Sequence, residues 1–168
     1  NTLTPVMLTN LTHDVMEQIE MPHWTDEELA FADELNKKSQ QYQAVKDSGK
    51  LENGPLCTFV EPVAKRDGYG STDVGDVQHI VPCVQVMTAT CNLAAPGHSW
   101  QITSCAGMSI GMKGMLFGSK VMAATAMKLV EDPKLVEQAK EEFNKQMNGR
   151  TYNCPIPKEI PVPQPQNN

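Results

Sequence analysis

Ile80-Val81-Pro82-Cys83-Val84-Gln85-Val86-Met87-Thr88-Ala89-Thr90-Cys91 is the stretch on which the reading of the fold turns. Val81, Val84, Val86, Thr88 and Thr90 are β-branched and largely alternate, and Pro82 is tolerated near the start of a strand. The pattern predicts a strand. Trp100 to Cys105, with Trp100, Ile102 and Ser104 on one side, predicts a shorter second one, and Leu56-Cys57-Thr58-Phe59-Val60 could make a third. Together with the helices described below, these place the chain in the α/β class.

Polar residues bracket the long run. On one side lies Gly70-Ser71-Thr72-Asp73-Val74-Gly75-Asp76-Val77, with two Asp residues three apart between glycines. On the other lies Ala95-Pro96-Gly97-His98-Ser99-Trp100, where a Pro-Gly turn holds a histidine. This layout suits the rim of an active site. Asp73 and Asp76 either make Asx turns and cap a following helix, or support a metal-bound or catalytic group. His98 is either a turn residue or a ligand, with Ser99 and Trp100 placed to orient or wall a site. The chain supplies neither the usual set of three or four metal ligands nor a Glu beside a ligand to act as general base. Ser71 and Ser99 lack a nucleophile-elbow motif, so a Ser-His-Asp arrangement has no support. His13 and His23 have no partner pattern, and His79, at the entry to the long run, reads as a packed or capping histidine rather than a ligand. The residues alone stop at a partial site.

Helices are expected around this centre. Thr4-Pro5 reads as N-cap and first helical position, followed by Leu8, Leu11, Val15 and Ile19 on one face, ending near Glu20 before Pro22. His13 and Asp14 lie off that stripe, on a solvated face. Thr25-Asp26-Glu27-Glu28 is a capping box opening a helix to about Gln43. The Gly- and Pro-punctuated segment from Asp47 to Gly70 reads as a long loop. Met108 to Val130 reads as a helix rich in Met and Ala, with Gly107, Gly111, Gly114 and Gly118 along one side, a pattern that calls for close backbone approach. Its methionines read as core packing rather than a metal site. Asp132-Pro133 caps a last helix to about Met147, ended by Asn148-Gly149. Two regions follow: 1–147, and a Pro-rich extended tail over 148–168.

The 168 residues fit one ordinary domain, and 40% are hydrophobic, enough for a core. A net charge of −6 without a Lys/Arg cluster argues against nucleic acid and anionic membranes as partners. No apolar run reaches the length of a membrane span, and none reads as a signal peptide. Five cysteines with no C-x-x-C spacing read as reduced thiols, which points to a cytoplasmic protein. A start at Asn1 rather than Met is expected of a processed piece or of a segment of something longer.

Several phrases carry a resemblance that composition does not. Pro22-His23-Trp24-Thr25-Asp26-Glu27-Glu28-Leu29-Ala30-Phe31-Ala32, Ser71-Thr72-Asp73-Val74-Gly75-Asp76-Val77, Pro96-Gly97-His98-Ser99-Trp100-Gln101, Ser109-Ile110-Gly111-Met112-Lys113-Gly114-Met115-Leu116 and Tyr152-Asn153-Cys154-Pro155-Ile156-Pro157-Lys158 resemble the p-aminobenzoyl-glutamate hydrolase B-subunit family. That family belongs to the dinuclear metallopeptidase superfamily of carboxypeptidase G, aminoacylase and the indole-acetyl-amino-acid hydrolases. The resemblance runs through essentially the whole chain and corresponds to the final third or so of the longer relatives.

The resemblance implies the C-terminal part of a metallopeptidase catalytic domain, with a mixed sheet flanked by helices, and with the N-terminal part and lid domain absent from this chain. It implies metal-dependent cleavage of the amide bond of p-aminobenzoyl-glutamate or a related N-acyl amino acid, two divalent ions (zinc or manganese, or else cobalt) activating a water. The implied role of His98 is metal ligand, that of Asp73 and Asp76 support or positioning, and that of Trp100 substrate wall. No catalytic residue falls in this chain. The other ligands are expected from the N-terminal portion of the same enzyme or from a second chain, and a homo-oligomer through the lid domain is implied. Two alternatives stand beside this: a non-catalytic structural or binding subunit, and a dipeptidase of the same superfamily.

Overall fold

The computed structural model describes residues 2–65, 68, 70, 72–161, and among these residues the fold is entirely helical. The helices are α1 (Val6–Gln18), α2 (Asp26–Lys37), α3 (Tyr42–Asp47), α4 (Val74–Gln78), α5 (Trp100–Ala106), α6 (Ser109–Glu131) and α7 (Pro133–Met147). None is long and apolar enough to cross a membrane. α6 is the organising element, packing against α1, α5 and α7, while α1 also meets α7.

The expected mixed sheet is absent among the described residues, and the reason lies in where the backbone finds its partners. Residues 82–90 belong to no helix or strand. Val84, Val86 and Thr88 are half-buried while Gln85 and Met87 are exposed, so the alternation read from the sequence is realised. The buried side, however, packs on a helix. Val86 joins Val15, Phe117 and Val121 in one core cluster, and Cys91 joins Ala32, Leu35, Leu56, Cys105 and Ile110 in another. A strand needs a second strand for its hydrogen bonds, and the run has none here. Trp100 to Cys105, expected as a strand, is helix α5. Gln101 and Cys105, one helical turn apart, are both buried, so the 3.6-residue period prevailed over the apparent alternation in a segment too short to discriminate them. Leu56 to Val60 is also unpaired, with Leu56 fully buried and Phe59 exposed.

The glycine row is only partly on one helix. Gly107 closes α5 as its C-cap. A methyl at Gly114 would collide with the Ala89 carbonyl, and one at Gly118 would press on Thr88 Cγ2 at 3.3 Å. The missing side chains let residues 88–90 lie directly on α6.

Buried polar groups join segments that a sheet would otherwise have tied. Fully buried Asn36 donates to the Pro55 carbonyl (3.0 Å) and accepts from Asn92 Nδ2 (2.8 Å) and the Ala94 N–H (2.8 Å). The Leu93 N–H donates to the same Pro55 carbonyl at 3.0 Å. Every polar atom of the Asn36 amide thus meets a partner, as burial demands.

At the helix ends the sequence signals are met in part. The Thr25 capping box forms as expected: the Thr25 N–H donates to Glu28 Oε2 (2.7 Å) and the Glu28 N–H donates to Thr25 Oγ1 (3.2 Å). That helix stops at Lys37, short of Gln43, and α3 follows separately. At α1 the N-cap is Pro5, not Thr4, and the free N–H groups of Val6 and Met7 donate to the Glu142 carboxylate of α7 at 2.7 and 2.9 Å. Asp132 caps α7 through the Lys134 N–H, and Asn148 ends it in the left-handed conformation. Residues 162–168 of the expected tail lie outside the described residues, as does Ser71.

Candidate functional site

His98 stands at the tip of the turn that leads into α5, exposed, with φ of 55°. Left-handed backbone is unfavourable for a residue with a Cβ, and such strain gathers where a side chain must be presented in a fixed direction. Among the described residues no hydrogen bond engages the imidazole. Ser99 follows as the N-cap of α5, yet its hydroxyl caps nothing and is buried without a partner. Trp100, first residue of the helix, is 56% exposed. The turn therefore holds two unused polar groups and an open indole side by side.

The two aspartates sit on α4, the short helix that follows their glycine-spaced turn. Asp73 is its N-cap residue but makes no capping bond, and it is exposed; the Val74 N–H goes to Thr72 Oγ1 instead (3.3 Å). Asp76 is half-buried and accepts a hydrogen bond from the Tyr152 hydroxyl at 3.0 Å. Burial first, then the negative Asp76 that its hydroxyl must keep serving, pushes the Tyr152 phenol up to about 12. His79 is the C-cap residue of α4, and its Nδ1 donates to the Gly75 carbonyl at 2.7 Å, which leaves Nε2 as the acceptor in the neutral ring.

Asp76, His79 and Tyr152 line an open cleft of about 1860 Å³ with Thr4, Gln85 and Arg150. His98 and Trp100 are not among its walls, so the structure places Asp76 in one surface feature and His98 in another. Among the described residues, the set of three ligand-type side chains whose donor atoms come within 4.8 Å of one another is His13, Asp14 and Glu17, on the outer face of α1. His13 there meets the Glu61 carbonyl (3.2 Å) and Glu17 (3.8 Å), an ordinary surface arrangement. Among the described residues His98 thus stands as a single donor without neighbours that would complete a metal site.

Sequence reading missed Tyr152, which lies 76 positions from Asp76. It also missed the reach of Glu28, which beyond its capping role accepts from Lys113 Nζ at 2.6 Å and from the Ser109 hydroxyl, both on α6. Only the Tyr152-Asn153-Cys154-Pro155 phrase, noticed for its resemblance, hinted at the first.

No family model matches the chain, and no solved structure matches it. Among curated proteins it is similar to the p-aminobenzoyl-glutamate hydrolase B-subunit of Escherichia coli strain K12, with 32% identity over 171 residues. The match takes in 91% of this chain and 35% of that protein, in its C-terminal portion. The chain therefore spans about a third of the length of the curated relative it matches.

Proposed function

We propose that this chain forms one wall of a metal-dependent amidohydrolase that cleaves the amide bond of p-aminobenzoyl-glutamate or a related N-acyl amino acid. The observation that carries the reading is the similarity over 91% of the chain to a protein named as part of a hydrolase. The strained, unengaged imidazole of His98 supports it, because a ligand held ready for a metal needs a free ring nitrogen and a fixed direction.

The residues present fit one corner of a metal site and no more. His98 would give one imidazole nitrogen, and the remaining ligands would come from the portion of the enzyme preceding this segment or from a second chain. Divalent ions bound there, zinc, manganese or cobalt, would acidify a water and polarise the scissile carbonyl. This chain's own contribution is to direct His98 from its turn, to place the Trp100 indole as an apolar wall beside it, and to set the carboxylates of Asp73 and Asp76 on a separate short helix as support. Cytoplasmic location and assembly into a homo-oligomer belong to the same proposal.

The solitary position of His98 also favours a second reading, a non-catalytic structural or binding protein. The two separate on one experiment with the natural-length polypeptide that carries this segment. His98→Ala is expected to lower the rate of p-aminobenzoate release at least 100-fold and to reduce the bound-metal content. His98→Gly should match that loss while raising stability by about 1 kcal/mol, because glycine relieves the left-handed strain. A natural-length polypeptide that releases no p-aminobenzoate and holds no metal, unaltered by either variant, would leave the non-catalytic reading standing, and hydrolysis that survives both variants would remove His98 from the metal site.

A further inference from the structure

We infer that the outward face of α6 is a docking surface for the polypeptide that precedes this segment in the longer enzyme, an inference that rests on the reading just given. Met112, Met115, Leu116, Met122, Met127 and Val130 are between 53% and 80% exposed, all on this one helix. The opposite side is already filled: Ile110, Phe117 and Val121 are buried, and Gly114 lies against Ala89.

A helix that is apolar all round belongs in an interior, since a helix facing water carries a polar stripe. At 23 residues α6 is about 35 Å long, enough to span a small domain. Its charges do not supply such a stripe. Lys113 turns toward α2 to meet Glu28, which leaves Lys120 as the charge between Met112 and Met127 on the outer side. Flexible, unbranched methionines adapt to an irregular apolar partner.

The occupant follows from length. About two-thirds of the E. coli relative lies outside the match, and the match is to its C-terminal portion. A preceding polypeptide of that size, presenting a predominantly apolar helix or sheet face, is the partner whose chemistry suits this surface. Burying such side chains removes apolar surface from water, which is the driving force for the contact.

Methionine oxidation by peroxide, read by mass spectrometry, tests this on the natural-length polypeptide. Met112, Met115, Met122 and Met127 are expected to oxidise at least tenfold more slowly than in a denatured sample, as buried Met147 should, and to keep that protection on dilution. Met115→Asp with Met122→Asp should expose the remaining two, while Met115→Leu with Met122→Leu should not. Fast oxidation of the four in the native polypeptide overturns the inference, and so does protection lost on dilution, which would assign the face to a second copy. Protection that persists in a polypeptide without hydrolase activity would overturn the catalytic reading alone. Activity with freely oxidising methionines would overturn the docking surface alone.

Discussion

Glu28→Gln is expected to uncouple α2 from α6. The Glu28 side chain is 8% exposed and accepts from the Thr25 N–H, from Lys113 Nζ and from the Ser109 hydroxyl. Lys113 also donates to the His23 carbonyl at 2.8 Å and lies over the Trp24 ring, 5.8 Å from its centre. Burial by itself would push the Glu28 carboxyl up. The hydrogen bonds from Lys113, Ser109 and Thr25 outweigh it and carry the group from an ordinary 4.5 down to about 2. A shift of that size corresponds to about 3 kcal/mol of linkage; with Lys113 a third exposed, water screening brings the expected figure to about 2 kcal/mol. Because the folded value is the depressed one, this stabilisation is complete above about 4.5 and fades as pH falls toward about 2. Urea unfolding followed by circular dichroism at a series of pH values should show wild type and Glu28→Gln about 2 kcal/mol apart near neutrality and converging at the acid end. A double-mutant cycle with Lys113→Met should return more than about 1 kcal/mol of coupling. A difference that stays constant across that pH window, or that is below about 0.5 kcal/mol throughout, would refute the reasoning.

Two further outcomes are expected. Gly114→Ala should destabilise the chain by about 2 kcal/mol or more, since the added methyl meets the Ala89 carbonyl, whereas Gly118→Ala, facing the movable Thr88 methyl, should be close to neutral in chemical denaturation. Asp76→Asn should bring the Tyr152 phenol down from about 12 while burial, the first cause, keeps it raised, and spectrophotometric titration of phenolate would show it; an unmoved titration would mean that the 3.0 Å bond does not contribute to this group's shift.

What could be read in the sequence was local. The capping box at Thr25, the Asp132-Pro133 start, the Asn148-Gly149 stop and the close approach implied by the α6 glycines are all properties of neighbouring residues, and the structure has each of them. The sheet failed because alternation at Val84 to Thr88 shows that one side is buried without showing what buries it, and here a helix does. Trp100 to Cys105 failed because so short a segment fits two periods equally well. At the candidate site, the turn that holds His98 was legible from Pro96-Gly97, but its left-handed backbone and the partnerless Ser99 hydroxyl were not. The Asp76–Tyr152 and Glu28–Lys113 pairs join positions 76 and 85 apart, a distance at which a single sequence carries no signal.

The bare patch on α6 at Gly114 inverts the usual relation between a residue and its tolerance to change. Ala89 touches the helix through its carbonyl, an atom every amino acid has, so substitutions at 89 leave that contact in place while any side chain at 114 removes it. Mutational scanning of this face would find its least replaceable position to be the residue with nothing to replace.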